Sequence, residues 1–268
     1  MRVVTFLSDY GGEDDFAGVC RGVIARIAPE AHVIDITHGI ARHDVRAGAI
    51  VLRRALPYMP AGVHLAVVDP GVGSARRAVA LACRGDRDER RLLVGPDNGL
   101  LMLAARRFGG VDEAVDLAGS GLASAATSAS FHGRDVFAPV AAHLAAGAPL
   151  SEAGEPLDPD DLIELELPRA QLTETGLVAH VLHADRFGNV MLDVTPGDLD
   201  AAGMRLGAAI AVDGVPAACA TTFADVQPGG LLLYRDADGV PSLAINRGSA
   251  FEALGLEVDA GVRLDRLG

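Results

Sequence analysis

The chain has 268 residues, half of them hydrophobic, and a formal net charge of −13. A chain of this length can bury a substantial core in one large domain or two smaller ones, and its apolar content argues against intrinsic disorder. Its excess of acidic residues argues against a nucleic-acid-binding protein, because phosphates attract a basic surface.

The cysteines and the apolar runs bear on the cellular compartment. Cys20, Cys83 and Cys219 are widely spaced and form no C-x-x-C pair. An odd number of cysteines without a pairing framework is typical of a reducing compartment, and each is interpreted as a small buried hydrophobe. The N-terminal apolar run meets Asp9 and is too short for a signal peptide, and no run approaches the roughly 20 residues of a membrane span. The sequence therefore predicts a soluble, cytoplasmic protein.

Short apolar runs alternate with helical patterns in the first half of the chain. The predicted strands are residues 3–7, 32–36, 63–68, 78–83 and 91–94, with a charged turn at 85–90 between the last two. The predicted helices are residues 14–27, 45–56, 99–108 and 137–146. Strands that alternate with helices indicate a mostly parallel sheet, so residues 1–165 are predicted to form an α/β domain.

The pattern changes after the fourth predicted helix. Residues 147–161 contain three prolines and several acids and are predicted to be a linker. The segments that follow are short and β-rich, with no long helix, at residues 177–182, 190–194, 208–212, 230–234 and 242–246. Residues 170–268 are therefore predicted to form a smaller all-β domain, either a barrel or a sandwich.

Four loops that follow predicted strands carry polar or ionisable groups. In Val68-Asp69-Pro70-Gly71-Val72-Gly73, a buried strand ends at a carboxylate, and the other loops contain Asp9, His38 and the segment Pro96-Asp97-Asn98-Gly99. Ligands of open α/β sheets bind beyond the carboxyl ends of the strands, so four such loops indicate a functional site. Asp-Pro-Gly is also an ordinary turn sequence, and a turn without chemistry is the alternative for any one loop alone.

Asp9 and His38 each allow two interpretations. The first strand is expected to be central in the sheet, which would place Asp9 beside Asp69, where a carboxylate can accept hydrogen bonds from a ribose diol. The alternative for Asp9 is a cap of the helix that follows it. His38 either lines the same site or is a turn or core histidine.

His132 lies in the segment Phe131-His132-Gly133-Arg134-Asp135, ahead of a predicted helix. A histidine at this position can accept a proton near neutral pH. It could also bind zinc, but no second histidine or cysteine stands at metal-ligand spacing around it, so no metal site is expected. Asp135 is interpreted as a helix cap or as a partner of Arg134.

Two turns of the β-rich half could contact a heterocycle. The turn Asp185-Arg186-Phe187-Gly188-Asn189 places an aromatic ring beside an amide, which could stack on a flat ring and read its edge. The turn Asn246-Arg247-Gly248-Ser249-Ala250 bares backbone groups in a similar way. An ordinary β-turn is the alternative. The chain contains neither a glycine-rich phosphate-binding motif nor a Gly-x-Ser-x-Gly elbow.

In their order along the chain, these segments resemble one protein family, the S-adenosyl-L-methionine hydroxide adenosyltransferases. Members of this family hydrolyse S-adenosyl-L-methionine (SAM) to adenosine and methionine, and they are relatives of fluorinating and chlorinating enzymes. The resemblance extends from Thr5 to about Leu256. It rests on Ser8-Asp9-Tyr10-Gly11, Asp35-Ile36-Thr37-His38, Val68-Asp69-Pro70-Gly71-Val72-Gly73, Pro96-Asp97-Asn98-Gly99, Phe131-His132-Gly133-Arg134-Asp135, Asp185-Arg186-Phe187-Gly188-Asn189 and Gly248-Ser249-Ala250.

The resemblance implies a fold, an assembly and a set of catalytic residues. It implies an N-terminal α/β domain, a C-terminal β-barrel and a homotrimer whose active sites lie between one subunit's N-terminal domain and a neighbour's C-terminal domain. It also implies a reaction without metal or cofactor, in which Asp69, Arg76 and His132 activate water. The halogenating relatives lack this trio, so its presence favours water over halide as the nucleophile.

The resemblance further implies how the substrate is bound. Asp9 would hold the ribose hydroxyls, Phe187 and Asn189 would surround the adenine, and Asp185 would contact the methionine amine. The second turn would complete the substrate site through Arg247, Ser249 and Ala250.

The sequence departs from the family pattern at the methionine end of the substrate. The family has an Asn-Ser-x-Gly turn where this chain has Arg235-Asp236-Ala237-Asp238-Gly239, and Thr222-Phe223 stands in place of Thr-Tyr. Arg235 is a possible substitute for the missing serine. Two alternatives to a SAM hydrolase therefore stay open, a halogenating relative and a trimer that binds adenosine or SAM without turnover.

Overall fold

The computed structural model describes residues 3–84, 89–125 and 128–267. The chain divides into two compact units, Met1–Leu165 and Glu166–Gly268. The charged turn predicted at 85–90 falls mostly on residues 85–88, which lie outside the described residues.

The first unit is built from seven strands and four α-helices among its described residues. The strands are β1 (Val3–Ser8), β2 (His32–Thr37), β3 (Val63–Val67), β4 (Ala78–Arg84), β5 (Arg90–Pro96), β6 (Glu113–Asp116) and β7 (Glu155–Leu157). The helices are α1 (Phe16–Ile27), α2 (Val45–Ala55), α3 (Met102–Arg107) and α4 (Ala138–Ala146).

These strands form one sheet in the order β2-β1-β3-β5-β4-β6-β7. The pairs β1–β2, β1–β3 and β3–β5 are parallel, whereas β4–β5, β4–β6 and β6–β7 are antiparallel. β1, β2, β3, β5 and β6 therefore run in one direction and β4 and β7 in the other, which confirms the predicted mostly parallel sheet. β1 lies one strand from the edge rather than at the centre, but it is the neighbour of β3, so the loops after these two strands share one edge.

Each face of the sheet is covered by two helices. Successive side chains of a strand point to opposite faces, so Leu65 and Val67 of β3 pack with α1 and α4, while Ala66 packs with α2 and α3. The Asp44 side chain caps α2 by accepting a hydrogen bond from the Ala47 amide at 2.8 Å. All four helices begin and end within three residues of the predicted positions.

The linker predicted at residues 147–161 is wrong. Within it, Glu155–Leu157 pairs antiparallel with β6 as the edge strand β7, and short 3₁₀ helices occupy Leu150–Glu152 and Pro159–Asp161. Leu150 and Ala153 are buried in the core. Pro156 is compatible with a strand because an edge strand needs hydrogen bonds on one side alone. The prolines of this segment indicated a loop, so β7 was not predicted. The apolar pattern of β6 was too short to predict that strand.

The second unit contains eight strands and two short α-helices among its described residues. The strands are β8 (Gln171–Leu172), β9 (Gly176–Ala184), β10 (Val190–Leu192), β11 (Ala209–Val212), β12 (Val215–Cys219), β13 (Leu231–Arg235), β14 (Pro241–Ile245) and β15 (Gly261–Arg266). The helices are α5 (Pro196–Ala201) and α6 (Ala250–Ala253).

The second unit is a closed barrel. Its strands follow the order β10-β14-β13-β12-β11-β15-β9, and β10 pairs again with β9, so the sheet closes on itself while β8 extends it outside. The interior is filled by alternating apolar side chains, among them Leu177, Ala179 and Val181 of β9. Of the two predicted all-β architectures, the barrel is the one observed, and β8, β12 and β15 are strands that the apolar pattern did not reveal.

The described residues also bear on the cysteines and on membrane insertion. Cys20, Cys83 and Cys219 are all free and buried, as predicted. No helix in the described part of the chain is both long and apolar enough to cross a membrane.

Candidate active site

A cleft of about 650 Å³ opens in the first unit, where the loops after β1, β2 and β3 meet the segment before α4. Its walls include residues from each of these segments, namely Asp9, Tyr10, Phe16, His38, His43, Asp69, Phe131 and His132. Three of the four rim loops predicted from the sequence therefore lie at one site. The fourth, Pro96–Gly99, does not line the cleft, but its Asn98 side chain contacts the Val68 carbonyl next to Asp69.

Asp69 and Arg76 form a bidentate ion pair at the cleft. The Arg76 Nε donates to Asp69 Oδ1 at 3.0 Å, and Nη2 donates to Oδ2. Both side chains are largely removed from solvent, with 6% of Asp69 and 7% of Arg76 exposed. Burial raises the pKa of the Asp69 carboxyl above its ordinary value, although the charge and hydrogen bonds of Arg76 act in the opposite direction. Asp69 is therefore a stronger base than an exposed carboxylate.

His132 is the third member of this cluster. Its Nδ1 lies 3.3 Å from Nη2 of Arg76. A guanidinium can donate but cannot accept, so Nδ1 accepts this bond and a neutral ring carries its proton on Nε2. The hydrogen bond thus selects the tautomer in which His132 offers an N–H donor rather than a free basic nitrogen.

The loop between Asp69 and Arg76 is closed by its own hydrogen bonds. The Ser74 hydroxyl donates to the Gly71 carbonyl at 2.7 Å and accepts from the Arg76 amide at 3.2 Å. Gly73 has a φ of +78°, and a Cβ there would lie 2.6 Å from the Ala129 carbonyl. The glycine therefore lets this loop pack closely on the segment that leads to His132.

Asp9 is held from one side. Its Oδ2 accepts a hydrogen bond from the His43 amide at 2.9 Å, while Oδ1 has no partner among the described residues. His43 adopts a left-handed conformation, with a φ of +66°, which is uncommon for a residue with a side chain. The arrangement fixes the carboxylate and leaves one oxygen for a ligand, and it does not cap α1, whose first turn receives no side-chain cap.

His38 combines both of its predicted interpretations. Its Nδ1 is 2.7 Å from the Ser8 hydroxyl, and its ring packs edge-on against Phe6 at a centroid distance of 4.6 Å. Its Nε2 lies 3.2 Å from Asp35 Oδ1. The ring is thus tied into the sheet and also contributes to the cleft wall.

An aromatic cluster on the cleft wall was not anticipated from the sequence. The ring centroids of Tyr10 and Phe131 are 6.0 Å apart and those of Phe16 and Phe131 are 5.3 Å apart, both in edge-to-face geometry. Burial raises the pKa of the Tyr10 phenol well above its ordinary range, so this residue stays neutral. A Cβ on Gly133 would collide with the Tyr10 hydroxyl, so the glycine permits this contact. The rarity of aromatic residues, at 4% of the chain, was the available signal.

In the second unit, Asp185 organises its turn. Its Oδ1 accepts from the amides of Phe187 at 2.8 Å and Asn189 at 3.0 Å, and its Oδ2 accepts from the Asn189 side-chain Nδ2 at 2.8 Å. The Asn189 amide is therefore oriented by Asp185. Phe187 is 70% exposed as a whole residue, which is unusual for a large apolar residue.

The turn at residues 246–250 packs against this first turn. Arg247 has a φ of +61°, and Ala250 is fully buried. The Ser249 hydroxyl caps α6 by accepting from the Glu252 amide at 3.1 Å. A Cβ on Gly188 would collide with Ser249, so the glycine allows the two turns to touch. Two adjacent turns of the second unit thus carry six of the predicted site residues: Asp185, Phe187, Asn189, Arg247, Ser249 and Ala250. The first unit carries the other four: Asp9, Asp69, Arg76 and His132.

The turn at residues 235–239, which differs from the family pattern, is closed by an aspartate instead of a serine. Asp236 Oδ1 accepts hydrogen bonds from the amides of Asp238 and Val240, each at 2.9 Å. Arg235 borders a separate groove of about 330 Å³ in the second unit.

Across the described ranges, no cluster of three or more His, Cys, Asp or Glu side chains could hold a metal ion.

An α/β unit with an acid–arginine–histidine cluster at its strand ends, followed by a barrel, defines a distinct class of two-domain protein. The family models for the SAM hydroxide adenosyltransferase N-terminal and C-terminal domains match residues 4–154 and 179–263. The chain belongs to this family.

Individual proteins give the same picture. The chain is 50% identical over 251 residues to the (R)-S-adenosyl-L-methionine hydrolase of Salinispora arenicola (strain CNS-205), which covers 94% of this chain and 93% of the relative. It is 29% identical to the fluorinase of Actinoplanes sp. (strain N902-109), over 91% of each chain. A crystal structure of an uncharacterized conserved protein from Thermotoga maritima superimposes with a TM-score of 0.87 at 34% identity, covering 97% of this chain and 99% of that one.

Proposed function

We propose that this protein hydrolyses SAM to adenosine and L-methionine. The observation that carries the proposal is the contact of Arg76 with both Asp69 and His132 at the cleft of the first unit. The 50% identity with a protein named as a SAM hydrolase supports the same activity.

The reaction is a displacement at the ribose 5′ carbon. A water oxygen forms a bond to C5′, the C5′–S bond breaks with its electron pair going to sulfur, and the sulfonium becomes the neutral thioether of methionine. Because the leaving group is neutral, no general acid is required. Water has a pKa of about 15.7, so the site must remove its proton as the new bond forms. This reaction requires neither a metal nor a cofactor, and we propose that the enzyme uses neither.

Asp69 is the base in this scheme and His132 is a donor. Asp69 is buried and its pKa is raised, which strengthens a carboxylate as a proton acceptor. His132 accepts the Arg76 hydrogen bond on Nδ1 and so carries a proton on Nε2, with which it can orient the attacking oxygen. Arg76 holds both partners and keeps the carboxylate in place.

The substrate is held by residues of both units in this proposal. Asp9 offers its Oδ1 to the ribose hydroxyls, and the exposed Phe187 ring stacks on adenine beside the Asn189 amide. Asp185 accepts three hydrogen bonds within its turn, and a carboxylate has roughly four lone-pair directions. The remaining direction is available to contact the methionine amine. The second turn closes the site through its backbone at Arg247, Ser249 and Ala250.

A product assay tests the reaction. Purified protein is incubated with SAM in EDTA, with chloride either present or replaced, and nucleosides and methionine are separated by chromatography. Equimolar adenosine and methionine are expected from the native chain and little from Asp69→Asn. Asp116→Asn, which removes a carboxylate that accepts a 2.9 Å bond from Ala118 elsewhere in the same unit, is the matched control and should retain activity.

The same assay discriminates the alternatives. A chloride-dependent 5′-chloro-5′-deoxyadenosine product would identify a halogenating relative. Bound adenosine without any turnover would identify a binding protein. Either outcome would contradict the hydrolase proposal.

The assembly and compartment are part of the proposal as well. The family resemblance supports a homotrimer in which neighbouring subunits complete each site, and three free, buried cysteines are compatible with the reducing cytoplasm. Co-expression of Asp69→Asn with Asn189→Ala tests the shared site, because mixed trimers would regain about a quarter of the native sites by random assembly. Sites formed within single chains would regain none.

A further inference from the structure

We infer that Asp97 and Asn98 are positioning residues that hold the Asp69–Arg76 pair in its reactive geometry. The inference rests on the proposed function and goes beyond it, because neither residue lines the cleft or belongs to the trio. Both belong to the segment Pro96-Asp97-Asn98-Gly99, the rim loop for which the proposed reaction has no use.

Asn98 anchors the strand end from which Asp69 emerges. Its Nδ2 donates to the Val68 carbonyl at 2.9 Å, and its Oδ1 accepts from the Leu100 amide at 3.2 Å. Both ends of the side-chain amide are thus engaged, which fixes its orientation. Val68 is fully buried and immediately precedes Asp69, so this bond controls where the base leaves the sheet.

Asp97 anchors the other end of the same loop. Its carboxylate is 3% exposed as a residue and accepts from Arg77 Nε at 2.8 Å, while its Oδ1 accepts from the Ile163 amide at 2.9 Å. Its own amide donates to the Arg77 carbonyl at 2.9 Å. Arg77 Nη2 also lies 2.7 Å from Asp97 Oδ2, so two side-chain contacts and one backbone contact hold Arg77 in place.

The Arg77 carbonyl connects this anchor to the catalytic guanidinium. The same oxygen that accepts the Asp97 amide also accepts Arg76 Nη1 at 2.9 Å. The Arg76 guanidinium is therefore bound at Nη1 by a carbonyl whose place Asp97 sets, and at Nε and Nη2 by Asp69. The segment Pro96–Gly99 thus binds Val68, the neighbour of Asp69, and Arg77, the neighbour of Arg76.

Misplacement of such a pair affects the reaction more than binding. A shift of about 1 Å in a reacting group can cost about 10²-fold in rate, although the group still occupies the site. Since Asp97 and Asn98 touch neither the cleft nor the expected ribose and adenine contacts, their loss should lower kcat and leave KM for SAM nearly unchanged.

Near-isosteric variants test the inference. Asn98→Asp keeps the acceptor for Leu100 but replaces the donor to Val68 with a second acceptor, and Asp97→Asn keeps the acceptor for Ile163 but loses the charge that pairs with Arg77. We expect kcat to fall by about 10- to 100-fold in each, with KM within about two-fold of the native value. The acid limb of the kcat–pH profile should also move to higher pH, because a displaced Arg76 no longer opposes the raised pKa of Asp69. The groups that act on Asp69 are Arg76, His132, Tyr10 and the Gly71 amide, and these variants keep all four.

Thr5→Val is the control for a purely structural loss. It removes a buried hydrogen bond that His64 Nδ1 donates to Thr5 Oγ1 at 2.9 Å, in the same unit but away from the cleft. It should lower Tm and leave kcat and the pH profile unchanged. If either loop variant does not fold, Arg77→Lys replaces it, because the Arg77 side chain is 31% exposed whereas that of Asp97 is 2% exposed.

The outcomes are distinguishable. A native chain without turnover overturns the proposed function and, with it, this inference. A native chain that turns over SAM, with variants that lose Tm like Thr5→Val but keep kcat and the acid limb, overturns the inference alone. A fall in kcat with an unchanged KM and a shifted acid limb supports it.

Discussion

Arg76 binds both carboxylate oxygens of Asp69 in a place where neither side chain is more than 7% exposed. The pair is therefore a desolvated charge pair whose geometry satisfies both members, rather than a surface ion pair. A third contact from the same guanidinium to His132 extends the pair into a cluster and sets the histidine tautomer.

Removal of Arg76 should be more costly than removal of an exposed arginine. Arg76→Ala leaves the Asp69 carboxylate buried and unpaired, which typically costs about 3–5 kcal/mol. Arg263→Ala breaks a pair with Asp265 in which the arginine side chain is 55% exposed, so it should cost much less. Urea denaturation at neutral pH compares the two. Equal losses would show that the Asp69–Arg76 pair is energetically an ordinary surface pair.

The raised pKa of Asp69 predicts the acid side of the pH–rate profile. A base must be ionised to act, and a carboxyl whose pKa is raised loses its charge at a higher pH than an ordinary aspartate. Activity should therefore fall on acidification at a pH above the usual carboxyl value of 3.8. The kcat–pH profile measures this limb, and Asp69→Asn should abolish it along with most of the activity. An acid limb that persists in the residual activity of Asp69→Asn would assign it to another group.

His64 predicts a pH dependence of stability that is independent of catalysis. Burial, with the nearby Arg91, lowers the pKa of His64 to about 3. The folded chain then keeps His64 neutral while the unfolded chain protonates it below its usual value of 6.5, so the contribution of this residue is complete above pH 6.5 and is lost as pH falls from 6.5 toward 3. The loss is about 1.4 kcal/mol per pH unit within that window. Unfolding free energies of the native chain and of His64→Gln at several pH values should differ in slope by this amount, and parallel slopes would contradict the assignment.

Gly133 and Tyr10 should behave as a coupled pair. Gly133→Ala places a methyl group against the Tyr10 hydroxyl, and such overpacking costs about 1–3 kcal/mol. Tyr10→Phe removes that oxygen, so the double variant should recover much of the lost stability and turnover. A double-mutant cycle in Tm and kcat measures the coupling. Additive losses would place the strain elsewhere.

Phe187 and Tyr58 form a matched pair for the adenine contact. The two residues are 70% and 73% exposed, so both alanine variants remove an exposed ring at little cost in stability. Phe187→Ala should raise KM for SAM by about 2- to 10-fold, which corresponds to the loss of one aromatic stacking contact. Tyr58→Ala should leave KM unchanged. Equal KM values for the two variants would exclude stacking by Phe187.

The sequence revealed the loops of the site because each follows a strand and carries an ionisable group. Asp9 and Asp69 meet for this reason, since β1 and β3 are neighbours and run in parallel. The strand β7 was missed because Pro156 is typical of loops and is tolerated at an edge. The tautomer of His132 could not be predicted, because it depends on a contact with Arg76 that lies 56 positions away in the chain.

The roles of Asp185 and of the Pro96–Gly99 segment show the same limit. A turn sequence indicates that an aspartate closes a turn, and Asp185 does so, but the orientation of the Asn189 amide emerges from their three-dimensional contact. The Arg77 carbonyl accepts hydrogen bonds from both Asp97 and Arg76. No periodic pattern in the sequence indicates that these residues are in contact. Such contacts depend on how loops pack, which the apolar pattern of strands and helices does not encode.

The central claim is that water attacks the ribose 5′ carbon of SAM in the cleft at Asp69. The most direct measurement is a single incubation of the native protein with SAM in ¹⁸O-labelled water, followed by mass spectrometry of both products. The mechanism predicts adenosine that carries one ¹⁸O atom in its 5′-hydroxyl and methionine that carries none. Unlabelled adenosine, or turnover that yields no adenosine, would contradict the account.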